Sequence, residues 1–401
     1  MTFWDDPVAV IGKWIVDLMV LLNLPNNLII FISTLIGVVV VASFGLIAVI
    51  FLIWLERKVA ARFQDRIGPN RAGPYGLLQT LADIIKLITK EDITPAKADK
   101  IAFNIAPVLS VVAVLLIWAV IPFAPGWIGT DINVGVLYIA AVGSFGIVSV
   151  LMAGWSSNNK YALLGAFRAV AQLISYEVPM LITLLIPVLL ARTMGMMGIV
   201  EAQTTWFVFL APIPAFLFLL SSIAEIGRTP FDLLEAESEI VAGFHTEYTG
   251  MKFGLFFAGE FLHAFTVGVL TAIFFFGGWR GPFIEQLPWL GVFYLMGKAL
   301  LGYFIVMWVR STLPRIRIDH MLNFNWKFLT PLSLALLIVT AILDKAFEGS
   351  SAHTIALFGG NVLIFLVSLV ALRQVSRRQQ ATRKTFKKRK VAKAPVAGKA
   401  S

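Results

Sequence analysis

The sequence predicts an all-α integral membrane protein with about nine transmembrane helices. Three observations carry that prediction. Hydrophobic residues fill 58% of the 401 positions and charged residues only 14%, with a mean hydropathy of +0.84, a composition few soluble domains of this length share. The apolar residues gather in runs of roughly 20, the length that crosses about 30 Å of hydrocarbon as a helix. The basic residues alternate between loops, dense in one and sparse in the next, as orientation in a bilayer requires.

The elements follow in order. Segment 1–30 has an apolar face interrupted by Lys13 and Asp17, which reads as a helix lying in the membrane interface. Apolar runs then occupy 31–54, 101–121, 132–154, 162–190, 206–224, 253–278, 290–309, 329–346 and 353–372. Between the first two, Gly68-Pro69-Asn70 and Gly73-Pro74 precede a helical pattern over Leu77–Thr89. A Gly/Pro turn running into a short amphipathic helix belongs at the membrane surface or part way into it. After Arg373 the chain turns basic, with Arg377-Arg378 and Lys387-Lys388-Arg389-Lys390, the composition of a disordered tail facing anionic lipid. No internal repeat is visible, which removes the usual argument for a secondary transporter.

Loop charges set the orientation. Arg57, Lys58, Arg62, Arg66, Arg71, Lys86, Lys90, Lys97 and Lys100 crowd 55–100, whereas 122–131 carries no Lys or Arg. Likewise Arg310, Arg315, Arg317 and Lys327 fill 310–328, while 279–289 has only Arg280. The expected cytoplasmic segments are therefore 55–100, 155–161, 225–252, 310–328 and the C-terminus, with the N-terminus outside.

Composition also excludes chemistries. The chain has no Cys, so it supplies no disulfide, no thiolate-held iron–sulfur cluster and no Cys-type zinc site. Its four His form no His-x-x-x-His pair, and no metal site is expected. A net charge of +10 placed between spans and in a tail suits orientation and lipid better than nucleic acid. Met1–Asp6 lacks the basic stretch of a cleavable signal peptide, so the spans themselves are expected to direct insertion.

The densest chemistry lies in Ala224-Glu-Ile-Gly-Arg-Thr-Pro-Phe-Asp-Leu-Leu-Glu-Ala-Glu-Ser-Glu239. Glu225, Asp232, Glu235, Glu237, Glu239 and Arg228 share one connection between apolar runs. By charge alone this is a solvated acidic surface; clustered like charges also exchange protons readily. Glu177 lies about 15 residues into the fourth span, roughly 22 Å along the helix. A carboxylate at that depth is protonated, paired or facing a wet interior, and a proton or ion path is a stronger reading than a structural partner. Pro179 and Pro187 follow it and free carbonyls that could hold water. Asp83 and Lys86 are three apart, an ordinary surface pair or part of the same path. Glu260 and His263 share a face of the sixth span, and Lys298 sits in the seventh at a depth that argues against snorkelling.

Long stretches carry a resemblance. They are Glu56-Arg-Lys58, Asp65-Arg-Ile-Gly-Pro-Asn-Arg-Ala-Gly-Pro-Tyr-Gly-Leu-Leu-Gln79, Ala82-Asp83 with Lys86, Gly165–Glu177, the 224–239 connection and Gly243-Phe-His-Thr-Glu-Tyr248. Together they closely resemble the H subunit of bacterial NADH-quinone oxidoreductase, respiratory complex I, over roughly residues 31–330. The resemblance implies a core of eight spans at 31–346, after the interfacial segment 1–30. An additional transmembrane helix at 347–372 and the basic tail 373–401 depart from it. It implies a multi-pass protein of the bacterial plasma membrane that forms part of a quinone chamber near Glu56, Arg57, Arg62, Arg228 and Phe231. It implies a proton route through Glu225, Glu235, Glu237, Glu239, Glu260, Glu177 and Asp83. Quinone, ubiquinone or menaquinone, is then the substrate. Iron–sulfur clusters and FMN belong to partner subunits: soluble cluster-bearing and quinone-site subunits on the cytoplasmic face, and small membrane subunits alongside.

Three other readings compete. The related membrane subunit of an energy-converting hydrogenase would share the core without a quinone chamber. A stand-alone ion transporter would use Glu177 and Glu260 equally well. A membrane anchor would need the loop acids for assembly alone.

Overall fold

The computed structural model describes residues 7–234, 241–350 and 352–392, with side chains up to residue 374. It is an all-helical bundle. Helix α1 (Pro7–Leu21) precedes α2 (Asn26–Phe63), α3 (Gln79–Thr89), α4 (Lys100–Trp118), α5 (Gly135–Ser156) and α6 (Lys160–Ala191). Short α7 (Met196–Ala202) and α8 (Phe207–Leu210) lead into α9 (Pro212–Ile226). Then come α10 (Gly250–Phe275), α11 (Leu290–Thr312), α12 (Ile318–Ala346, with a π-turn at Asn325–Leu329) and α13 (His353–Ala392). Among the described residues, 8 helices are long and apolar enough to span a membrane.

The fifth run is where this differs from nine uniform spans. Residues 206–224 fold as two pieces, α8 and the 15-residue α9, broken at Ala211. Pro212 and Pro214 cause the break, because neither offers an N–H to the preceding turn. The carbonyl of Leu210, which Pro214 would otherwise serve, instead accepts the side-chain amide of Asn361 from α13 at 3.3 Å. Pro179 creates the same vacancy inside α6. The carbonyl it frees, on Ser175, is taken by the buried amide of Asn325 at the π-turn. Side-chain amides therefore satisfy two carbonyls that Pro leaves bare, where the sequence suggested water at the α6 site.

Helix α2 is longer than its apolar run. It starts at Asn26 and ends at Phe63, 38 residues or about 57 Å, nearly twice the hydrocarbon thickness. Hydropathy marks where the lipid-compatible surface ends, whereas Glu, Arg, Lys and Ala continue a helix readily. The extension carries Glu56, Arg57 and Arg62. The 64–78 connection folds back on it, with the Trp54 indole donating to the Tyr75 carbonyl at 3.1 Å. Gly76 has φ 77, and a Cβ there would lie 2.4 Å from the Pro69 carbonyl oxygen. Helix α13 runs on to Ala392, into the segment whose composition suggested disorder.

Helix α10 stands at the centre, with every residue from Ala264 to Phe275 buried. It crosses α11 backbone to backbone: a Cβ on Gly268 would come within 2.5 Å of the Ala299 carbonyl. Small residues at such crossings let van der Waals packing join helices in lipid. Several buried polar groups pair across the bundle. Trp118 donates to Thr266 at 2.7 Å, and Gln172 donates to the carbonyls of Ala224 and Phe231 at 2.6 and 2.7 Å.

Lys298 is held by the connection that follows α10. Its Nζ donates to the carbonyls of Phe276, Gly278 and Arg280, each at 2.8 Å, and lies 4.9 Å from the Trp206 ring centroid. Its long stem does reach the helix end, contrary to the expectation from depth.

Candidate functional site

The site forms where the far end of α2 meets the turn after α9, with α10 and α11 behind. Gly227 ends α9 in the left-handed region, φ 76, and its N–H returns to the Ala224 carbonyl. A Cβ at Gly227 would lie 1.9 Å from Leu234, so only Gly lets the chain turn there. That turn brings Arg228 inward, where its side chain is 3% exposed. The Phe231 N–H braces it from below, donating to the Arg228 carbonyl at 2.9 Å.

Arg228 joins two carboxylates from different helices. Its Nη1 donates to Glu56 Oε1 at 2.9 Å, and its Nε is 2.8 Å from Glu260 Oε1. Its guanidinium carbon lies 4.6 Å from the Phe261 ring centroid. Glu56 also accepts from Arg310 on Oε1 and from the Tyr303 hydroxyl on Oε2, the latter at 2.9 Å. A partly buried carboxylate facing two guanidiniums and a phenol is an ion-pair hub rather than a surface charge.

Two cavities flank the hub. One, of about 670 Å³, is lined by Glu56, Arg57, Arg66, Phe257, Phe261 and Arg310, among others. The other, of about 100 Å³, is lined by Glu225, Glu260, His245, His263 and Phe257, among others. Glu56 faces the first, Glu260 the second, and Arg228 links them. From the wall of the smaller cavity, Glu225 lies close enough to Glu177 for their charges to interact. Ser144 of α5 donates to Glu177 Oε1 at 3.0 Å.

Arg57 turns away from its neighbour Glu56 to bind Asp83 on α3, and Lys86 approaches the same carboxylate at 3.5 Å. Partial burial pulls the Asp83 carboxyl upward, but the hydrogen bond and charge of Arg57, with Lys86, outweigh it. The group therefore sits below its ordinary pKa. Burial among Phe244 and Phe253 pushes His245 down to about 4, so its imidazole is neutral at physiological pH. Tyr248 stacks on Phe103 at 4.1 Å, and burial raises it to about 12. Asn159 donates to Glu247 at 2.5 Å. The 243–250 stretch thus docks a connection and supplies one cavity wall.

The structure brings together Glu56, Arg57, Arg228, Glu260, Glu225, Glu177 and, through Arg57, Asp83. Phe231 packs against Tyr176, ring centroids 5.2 Å apart, and lines neither cavity. Arg62 is exposed on the last turn of α2. Glu235, Glu237 and Glu239 lie outside the described residues. Tyr303, Arg310, Phe257, Phe261 and Ser144 escaped sequence reasoning. Arg310 registered only as a loop charge, although it stands seven residues after Tyr303 and so on the same helix face.

The NADH dehydrogenase family profile matches residues 36–341, ending before α13. The chain is 48% identical over 333 residues to the NADH-quinone oxidoreductase H subunit of Dehalococcoides mccartyi, covering 83% of this chain and 92% of that one. It is 48% identical over 300 residues to the NADH-quinone oxidoreductase H subunit numbered 2 in Geobacter sulfurreducens, covering 72% and 90%. The corresponding H subunit of Rhodospirillum centenum is 44% identical over 306 residues, covering 76% and 91%.

Proposed function

Because the chain belongs to the family of NADH-quinone oxidoreductase H subunits, we propose that, as a membrane subunit of that oxidoreductase, it walls part of a quinone chamber and opens a proton route. The observation that carries this reading is the Glu56–Arg228–Glu260 ion-pair chain standing between an open cavity and a smaller acidic one.

The larger cavity suits a quinone head in both volume and lining. Phe257, Phe261 and Met307 offer apolar contact, and Arg57 and Arg310 offer donors for oxygen. Arg62 lies between Ala60 and Gln64 in sequence, both of which line this cavity, and Phe231 supports the Arg228 turn. Reducing a quinone to a quinol takes up two protons and passes through charged species in a poorly solvated space. New negative charge beside Glu56 competes for Arg310 and Arg228, and Arg228 carries the disturbance to Glu260. Coupled acids titrate as a set, so the change reaches Glu225 and His263 at the smaller cavity and then Glu177 with Ser144. Glu235, Glu237 and Glu239 extend the acidic group along the same connection. Asp83 acts from the side by holding Arg57.

In this reading the chain binds no flavin or cluster. FMN and iron–sulfur centres sit in soluble partners docked on the cytoplasmic face, beside 55–100 and 225–252, with small membrane subunits adjoining the bundle. The N-terminus lies outside the plasma membrane and the C-terminus inside, as the loop charges direct. Residues 31–346 form the shared core, with α13 and the basic tail added to it.

The test is Glu177→Gln in the purified complex. Assembly is expected to persist, while quinone reduction and coupled proton pumping both fall by about tenfold or more. Wild-type turnover and pumping in an assembled mutant would remove Glu177 from the route.

A further inference from the structure

One of the three donors on Glu56 lies outside the chain of charges. Arg228 and Arg310 both reach Oε1, and among the described residues the Tyr303 hydroxyl alone donates to Oε2, at 2.9 Å. Tyr303 is fully buried, 0% exposed. The crossing of α10 and α11 fixes its place: a Cβ on Gly302 would lie 3.1 Å from Gly268 Cα, and one on Gly268 would lie 3.2 Å from the Tyr303 nitrogen. Phe265 meets the Tyr303 ring edge-on at 6.2 Å and 81°. A ring enclosed in this way has little freedom to swing.

We propose that Tyr303 is the positioning residue for Glu56, locking Oε2 so that Oε1 stays shared between Arg228 and Arg310 at the cavity wall. This rests on the quinone-chamber reading above. A terminal carboxylate torsion is broad and roughly two-fold. Two guanidiniums on one oxygen therefore leave the group free to rotate and exchange its oxygens. A third donor on the second oxygen stops that rotation. Donors and dipoles held in place before charge appears need no reorganisation when it does. Among the described residues, the charged groups paired with Glu56 are Arg228 from the turn after α9 and Arg310 from α11, with Glu260 of α10 acting through Arg228. Arg57 lines the same cavity but binds Asp83.

A phenol that merely satisfied its own burial would leave catalysis alone. Tyr303→Phe in the whole complex separates the two roles. The expected result is normal assembly, kcat lower by about tenfold, and a KM for a quinone analogue within about twofold of wild type. In redox-induced infrared difference spectra, the carboxylate band that Glu56→Gln abolishes is expected to shift in Tyr303→Phe. Wild-type kcat with an unshifted band, alongside an impaired Glu56→Gln, overturns the positioning role and leaves the chamber intact. Wild-type turnover in Glu56→Gln overturns the chamber reading, and the positioning role with it. If Tyr303→Phe fails to assemble, the wild-type complex carrying ring-labelled tyrosine gives the answer. A phenol band that responds to quinone reduction and moves in Glu56→Gln supports the role; a silent one overturns it.

Discussion

Arg228 meets Glu56 at 2.9 Å across 172 residues of sequence, and with the same guanidinium it stands 2.8 Å from Glu260. One buried cation thus joins an acid of α2 that lines the larger cavity to an acid in the middle of α10 that lines the smaller one. Its planar fork reaches the two acids through separate nitrogens, Nη1 and Nε, whereas a lysine would have to bring both to a single nitrogen.

Removing that cation is expected to be costly. Arg228→Gln leaves two partly buried carboxylates facing each other, and breaking one side of such a pair destabilises by about 3 kcal/mol. Thermal unfolding of the purified complex should register the loss, and quinone reductase activity should fall more than about tenfold. Arg228→Lys should restore folding better than activity, because the charge returns but a single nitrogen lacks the fixed span between Nη1 and Nε that meets the two acids. Equal recovery of both would show that the bridge is structural alone.

The added helix α13 has a specific attachment. Asn361, 1% exposed, donates to the Leu210 carbonyl bared by Pro214 and accepts from Thr340 at 3.3 Å. Asn361→Leu keeps the branched shape but orphans that carbonyl, at a cost of about 1–3 kcal/mol. A lower unfolding temperature and faster amide exchange at 207–214 are expected, with little change in turnover. An unchanged exchange rate there would mean that the break needs no amide from α13.

Acid should loosen the 243–250 stretch through His245. Its folded pKa is about 4 and its ordinary value is 6.5, so between these values the unfolded chain binds the proton and the folded chain does not. Stability is then full above about pH 6.5 and falls as pH drops toward 4, by at most about 1.4 kcal/mol per pH unit. His245→Phe should flatten the dependence of the unfolding temperature over that window. If the mutant and wild-type profiles run parallel, the imidazole is not held neutral.

The membrane character, the approximate span positions and the family were legible because they rest on local, additive signals. A run of apolar residues reads the same wherever it packs, and Glu56-Arg-Lys58 or Gly227-Arg228 are contiguous strings. The ends of α2 were not legible, since helix propensity continues where hydropathy stops. The broken fifth span was signalled by Pro212 and Pro214, yet a run of apolar letters hid it.

By itself the sequence determined that this chain is a helical membrane protein of a recognisable family, with acids gathered in the 224–239 connection. Only the tertiary structure decided their company: that Arg57 serves Asp83 rather than Glu56, and that Tyr303 and Arg310 reach Glu56 from 247 and 254 residues away. It also placed Phe231 against Tyr176, where it braces a turn. The physical reason is that a hydrogen bond needs two groups within about 3 Å. Which groups come that close depends on how helices cross, and at Gly268 and Gly302 two glycines set that crossing.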